Sequence, residues 1–316
     1  MEAGVQMSKE WKKVAAPASI SNLGPGFDVF GMALEEPYDL VCARKCEEGV
    51  SVISIEGTGA EGLPSDPSKN SAAIAAAEVL RRCDADFGIE LRMIKGIRPR
   101  SGIGSSGASA AGGAYVANLL CGGGLGDTEL VLCAAYAEEV TSGGMHADNV
   151  APSLLGGFTV IRSYAPLEVL KVTPPQNLGV AVAMPDIEVS TKEARKVLPS
   201  EVPVSDLVFH VGNASCLVHA MMTGDLDLMG RSVKDAVFEP ARAHLVPHLN
   251  EAKDAARSHG AKASFLGGSG PCVISFFDRS MMDGSDIAAA VRDLYLEKGI
   301  DCQTWITSAG AGCREV

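Results

Sequence analysis

A chain of 316 residues is longer than a single hydrophobic core comfortably supports, so two medium domains are expected. With 47% hydrophobic and 21% charged residues and no apolar run near 18 residues, the composition is that of a soluble globular protein rather than a membrane-spanning one, and the opening MEAGVQMSKEWKKV is too polar for a signal peptide. A net charge of −12 without any basic run of five speaks against nucleic acid as a partner, and nine cysteines without a CxxC pair fit a reduced, cytoplasmic protein.

In chain order, a first strand is expected at Lys13 to Ala16, then a polar Gly/Pro loop from Ser19 to Asp28, then strands near Leu40 to Arg44 and Val50 to Ile55. Pro67 to Cys83 reads as a helix with Pro67 in its first turn, and Ile89 to Ile94 alternates like a strand. A glycine loop from Arg98 to Gly107 feeds a small-residue helix, Ala108 to Leu120. After the break at Gly122 to Gly126, Asp127 can cap an apolar helix over Thr128 to Val140, which ends in Glu138 and Glu139. Near Gly156 and Gly157 the pattern changes, and a domain boundary is expected there, giving domains of 1–158 and 159–316. Beyond it lie strands at Phe158 to Arg162 and Leu178 to Met184, joined by a proline-containing connection. Helices at Asp206 to Met222 and Leu245 to Ser258, a strand at Val273 to Phe277, a helix at Ile287 to Lys298 and a strand at Cys302 to Thr307 follow.

Gly102-Ile103-Gly104-Ser105-Ser106-Gly107 matches the GxGxxG fingerprint, but no strand directly precedes it and no second parallel strand ending in an acid follows its helix. No lysine follows a glycine pair as a P-loop requires, and Asp86-Phe87-Gly88 has no His-Arg-Asp partner. The loop is chemically apt for phosphate all the same. Glycines remove the Cβ atoms that would block an anion, several N–H groups converge at a helix start, and Ser105 and Ser106 add hydroxyls suited to a Mg²⁺ ion. Read alone, it is equally a helix start followed by close helix packing. His244 and His248 stand at i,i+4, yet Pro247 interrupts any helix between them and no third ligand is evident.

Three separated segments resemble the motifs of the GHMP kinases: Ala16 to Asp28, the glycine loop through Ala111, and Phe265 to Pro271. Within that superfamily, SNLGPGFDVFG and the strings His146 to Pro152, Ser190 to Arg195 and Glu239 to Arg242 are similar to the homoserine kinases. The resemblance spans nearly the whole chain. It implies an α+β, two-domain fold: an N-terminal domain with a left-handed βαβ crossover and a C-terminal ferredoxin-like domain, with the active site in the cleft between them. It also implies a homodimer that phosphorylates homoserine with ATP and Mg²⁺ for threonine synthesis. Another GHMP kinase acting on shikimate or mevalonate, or a nucleotide sensor on the same fold, would keep the ATP site.

On that resemblance the amides of Gly102 to Gly107, Ile103 among them, cradle the phosphates; Pro99-Arg100-Ser101 just before them departs from the usual family pattern but leaves the loop intact, and places Arg100 and Ser101 within reach of a phosphate. Ser106 and a helix glutamate hold Mg²⁺; the family spacing to His146 selects Glu138, whereas helical periodicity cannot choose between it and Glu139. Asn70 matches an adenine contact, although its place at a helix start also suits a cap. Asn22 and Asp28 match the amine and hydroxyl end of the substrate, and Arg195 and Arg242, with Thr191 and His146, match its carboxylate side, where arginine suits bidentate capture. Asn149 is expected near the reaction centre. Several relatives use an aspartate paired with a lysine near the first motif as general base, and Asp148 sits in the region where such a base would be sought, but direct in-line attack is the arrangement implied, so it is given no such role.

Overall fold

The computed structural model describes residues 10–316, and the first nine residues of the polar opening lie outside them. Two long strands, β1 (Lys12–Asn22) and β2 (Gly26–Cys46), form an antiparallel hairpin in which Val14 faces Val41 and Ile20 faces Met32. The loop expected from Ser19 to Asp28 is therefore mostly strand, and the turn shrinks to three residues. Ser19 and Ser21 can be buried here because their hydroxyls meet partners on the far side, the Asn149 carbonyl at 3.0 Å from Ser19 and the Asn149 amide at 3.1 Å from Ser21.

The next unit is β3 (Val50–Gly57), α1 (Ser71–Arg82) and β4 (Gly88–Lys95), with β3 and β4 parallel. This is a βαβ unit within the N-terminal part of the chain. Helix α1 starts at Ser71 rather than Pro67 because the Asn70 side chain accepts the Ala73 amide at 3.2 Å and fixes the first turn. Three helices follow, α2 (Ser105–Leu120), α3 (Asp127–Ser142) and α4 (Ala147–Leu155). The glycines of α2 let backbones meet: a Cβ on Gly113 would stand 2.2 Å from the Ala72 carbonyl of α1, and one on Gly112 would stand 2.6 Å from Val41. Helix α4 was not foreseen; it is short and carries Pro152.

Strands β5 (Phe158–Tyr164) and β6 (Leu167–Val172) join the first sheet through β2, so by sheet membership the change of unit falls between Val172 and Leu178, not at 158. The second sheet begins with β7 (Leu178–Pro185). Two short helices, α5 (Thr191–Lys196) and α8 (Phe238–Arg242), flank the pair α6 (Val204–Thr223) and α7 (Leu226–Ser232). Then come α9 (Leu249–Ser258), β8 (Ala263–Leu266), β9 (Val273–Asp278), α10 (Ser285–Glu297) and β10 (Cys302–Ser308). Pro247 keeps α9 from starting at Leu245, and a single 3₁₀ turn at Ala243–Leu245 precedes it. The strands are antiparallel in the order β10-β7-β9-β8. Val273, Phe277, Val291 and Tyr295 form a core with α9 and α10, whereas Val180, Val182, Ile274 and Phe276 belong to the larger core shared with the first sheet. Finally β11 (Arg314–Glu315) returns to pair with β1.

Candidate active site

A cleft of about 450 Å³ is lined by the β1–β2 turn, the glycine loop, the end of α3, the start of α4, residues of α5 and α8, and the turn after β8. Gly102 and Gly104 hold left-handed conformations, φ 83° and 69°. Side chains are also excluded there by space. A Cβ on Gly102 would lie 2.6 Å from the Gly270 carbonyl and 2.7 Å from that of Gly267, and one on Gly104 would lie 2.3 Å from Ser19 Oγ. Gly104 is the N-cap of α2 and offers no side chain to its first turn, so the amides at the positive end of that helix are left to a ligand. Ile103 differs from its neighbours: its side chain is buried and does not line the cleft, and its carbonyl accepts the Ser19 amide at 3.2 Å, so it anchors the loop.

Beneath this loop lies a buried ion pair that motif reading missed. Lys95 Nζ bonds to Asp39 and also donates to Ser109 Oγ at 2.8 Å and to the Ser105 carbonyl at 3.3 Å. Asp39 accepts the amides of Gly96 and Ile97, each at 3.1 Å. The pair thus clamps both ends of the segment from β4 to the start of α2. Strand alternation was the available signal, because Lys95 shares a face with Ile89, Leu91 and Met93, and Asp39 shares one with Val41 and Ala43.

At the other edge of the loop Ser106 Oγ donates to Glu138 Oε1 at 2.5 Å and lies 3.0 Å from Ser71 Oγ. Glu138 is buried and Glu139 is exposed, which decides between them. Among the described residues no basic side chain contributes to the Glu138 carboxyl, and burial pushes its pKa up, opposed by the Ser106 hydroxyl. A carboxylate buried without a counter-charge, beside a hydroxyl and a row of open amides, suits a hard divalent cation bridging phosphates.

Across the cleft the charged side chains are already paired. Arg195 Nη2 bonds to both oxygens of Asp28, at 2.9 and 3.0 Å, and to His146 Nδ1 at 2.9 Å. Burial, and then the Arg195 guanidinium, lower the His146 pKa, so the ring is a neutral acceptor at Nδ1. Asn22 and Asp28 lie at φ 72° and 55°; Asn22 accepts the Asp28 amide at 3.1 Å and donates to the Gly268 carbonyl at 3.0 Å, while Tyr164 donates to the Asp28 carbonyl at 2.7 Å. Asn22 is therefore a brace for the turn. Arg242 is buried, donating to the Ala194 and Gly268 carbonyls at 3.2 and 3.3 Å, and lies 5.0 Å from the centre of the Phe27 ring. Thr191 lines the cleft from the first turn of α5.

Asn149, at the start of α4, is pinned by the β1 serines and lines the cleft between the two halves of the site. Asp148 beside it is fully buried, with Oδ1 lacking a hydrogen-bond partner, and burial followed by the nearby Asp28 charge raises its pKa to about 7. The unfolded carboxyl ionises near 3.8, so between that pH and about 7 the folded chain holds a proton that the unfolded chain has lost. Stability therefore falls as pH rises through this window, and the cost is complete above it. Asp148→Asn removes the cost. The melting temperature of that variant, measured against the parent, is expected to be more favourable at pH 8 than at pH 5; a pH-independent difference would show that Asp148 does not titrate there.

Residues 70–157 match the GHMP kinases N terminal domain and residues 217–295 match the GHMP kinases C terminal domain. A homoserine kinase from Methanococcus maripaludis is 42% identical over 304 residues, 95% of this chain and 97% of its own, and one from Pyrococcus abyssi is 38% identical over 96% and 99%. The crystal structure of homoserine kinase from Cytophaga hutchinsonii superposes with a TM-score of 0.93 at 35% identity, covering all of both chains. The chain belongs to the GHMP kinases, in their homoserine kinase family. It is accordingly a kinase, with the two-part α+β fold of that group. A mevalonate kinase from L. major, at 17% identity and a TM-score of 0.71, shares the GHMP kinase fold.

For a GHMP kinase the cleft is complete in kind: an open helix start, a buried acid beside a hydroxyl, and a charged pair facing them. Two expected contacts are otherwise engaged. Both ends of the Asn70 amide are used, Oδ1 as the cap and Nδ2 donating to the Pro64 carbonyl at 2.9 Å, so this residue shapes the cleft wall as a helix cap. Arg100 lies 3.4 Å from Glu188 at the mouth of the cleft, while Ser101 Oγ is buried and unpartnered beside the loop. Among the described residues no helix is long and apolar enough to cross a membrane.

Proposed function

We propose that this protein transfers the γ-phosphoryl group of ATP to the side-chain hydroxyl of L-homoserine, giving O-phospho-L-homoserine for threonine synthesis. The observation that carries the substrate class is the Asp28–Arg195 pair. A zwitterionic α-amino acid offers its ammonium to Asp28 and its carboxylate to Arg195, exchanging one ion pair for two. The Asp28, His146 and Asp148 ligand atoms lie within 4.8 Å of one another, a polar corner sized for an ammonium. Shikimate and mevalonate carry a carboxylate and no amine, and would leave Asp28 without a partner.

With the headgroup so held, the hydroxyl is directed toward Asn149 and the open end of α2. The glycine-loop amides fix the phosphates, Asn149 orients the acceptor oxygen for in-line attack, and the helix start stabilises charge spreading over the transferring group. Ser106 and Glu138 would hold a Mg²⁺ ion, which neutralises phosphate charge when bound. Asp148 has no general-base role in this reading, and positioning and electrostatics are the main sources of rate. The reading includes a cytoplasmic location and a homodimer.

The deciding experiment follows ADP release from Mg-ATP with homoserine, shikimate or mevalonate. Turnover with homoserine alone supports the proposal; turnover with another acceptor, or ATP binding without any turnover, rejects it. Arg195→Ala is expected to raise the KM for homoserine roughly 10- to 100-fold, as loss of a charge-assisted contact does, with nucleotide affinity nearly unchanged. Equal losses for both ligands would place Arg195 elsewhere in the mechanism.

A further inference from the structure

Phe27, the residue before Asp28 in β2, has no polar side-chain atom to offer a ligand, yet two charged groups of the cleft lean on it. The guanidinium carbons of Arg195 and Arg242 stand over its ring, 5.6 and 5.0 Å from the centre. Both lie within the range at which an aromatic face attracts a cation. Arg242 needs such a surface. It is 4% exposed and bonds only to the carbonyls of Ala194 and Gly268, and burial, followed by the nearby Arg195 charge, lowers its pKa. A buried cation beside a like charge is costly unless something compensates it, and a π face does so in part.

The ring is itself held from behind. Phe238 stacks on it with centroids 4.0 Å apart and planes 14° from parallel, and His210 of α6 meets Phe238 edge-on at 5.6 Å and 86°. Phe238 and Arg242 stand four positions apart in α8, which puts them on one face of that helix. Asp235 fixes the start of α8 by accepting the amides of Val237, Phe238 and Glu239 at 2.7, 2.7 and 2.8 Å. His210 Nε2 accepts the Ala236 amide at 3.1 Å, and its Nδ1 lies 3.4 Å from the Pro25 carbonyl, so the same cluster ties the β1–β2 turn to α8. Neither Phe27 nor Phe238 lines the cleft, whereas both arginines do.

Taking homoserine as the acceptor, as proposed, we infer that Phe27 is a positioning residue: without touching the acceptor, its ring, backed by Phe238, holds the guanidinium groups of Arg195 and Arg242 in place for the acceptor's carboxylate. The effect belongs to acceptor binding and leaves the phosphate side of the cleft alone.

Phe27→Leu keeps an apolar side chain and removes the π face, whereas Phe27→Tyr keeps the face. Steady-state kinetics are expected to show the KM for homoserine raised about 10-fold in Phe27→Leu, the size of a desolvated cation–π contact, with kcat and the KM for ATP near those of the parent. Phe27→Tyr is expected to match the parent. Phe238→Leu removes the backing alone, is expected to move the same constant in the same direction, and serves if Phe27→Leu misfolds. An unchanged homoserine KM in the folded variant, equal rises for homoserine and ATP, or a Phe27→Tyr variant as impaired as Phe27→Leu would overturn the proposal. The arginine Nε–H signals of isotope-labelled protein give a readout that needs no substrate. Those of Arg195 and Arg242, assigned with Arg195→Lys and Arg242→Lys, are expected to stand apart from the exposed arginines in the parent and to move toward them in the Phe27→Leu or Phe238→Leu variant. A parent that does not phosphorylate homoserine rejects the acceptor and leaves these signals to decide the role of the ring; signals that stay in place overturn it.

Discussion

Lys95→Met is expected to cost about 3–5 kcal/mol of stability, the usual loss when one member of a buried ion pair is removed. The ammonium and the Asp39 carboxylate are both within the core, with side-chain exposures of 1% and 0%. Without Lys95, Asp39 retains two backbone amides and the Ser109 hydroxyl at 3.1 Å but no positive charge. The damage also reaches the cleft, because the Ser105 carbonyl at the start of α2 loses a donor. Urea midpoints for Lys95→Met, Asp39→Leu and the double variant measure the effect. The double variant should recover much of the loss, since two apolar groups leave no unpaired charge. Additive losses would mean that the two groups act independently.

Glu138→Gln is expected to lower kcat/KM by about 100-fold or more, above the 10- to 100-fold typical of groups that merely orient a metal ligand. The amide keeps the shape and can still meet Ser106, so the loss reports charge. Stability should move the other way or not at all, because burial already disfavours the ionised acid. The measurements are turnover across a Mg²⁺ titration and a melting curve without ligand. Near-normal turnover at every Mg²⁺ concentration would remove Glu138 from the cation site.

Much of this was legible in the residues, and the exceptions have physical causes. The glycine loop could be read because an open phosphate site demands residues without Cβ atoms, and Ser105 and Ser106 follow it directly. Glu138 could not be separated from Glu139 by periodicity, since α3 is apolar on both sides; burial separates them only once the sheet is in place. The Asp28–Arg195 contact joins positions 167 apart, and no local pattern announces it. The expected loop at Ser19 to Asp28 failed for a related reason: its serines look like turn residues until Asn149, about 130 residues on, supplies their partners. The short elements α4, α7, α8 and β8 span too few turns or residues for periodicity to show. Lys95 and Asp39 were within reach, as charged residues on the inward face of alternating strands.

The contact between Gly102 and the turn at Gly267 to Gly270 has a consequence for how the enzyme can change. It is made of bare main chain from both halves of the molecule, closed by the Cys272 amide on the Ser101 carbonyl at 3.3 Å. A fragment ending before β7 would present its glycine loop with one wall missing. On the proposed reading, drift in Phe265 to Pro271 is felt as altered grip on ATP, and re-engineering that grip has to rework two distant stretches of backbone together.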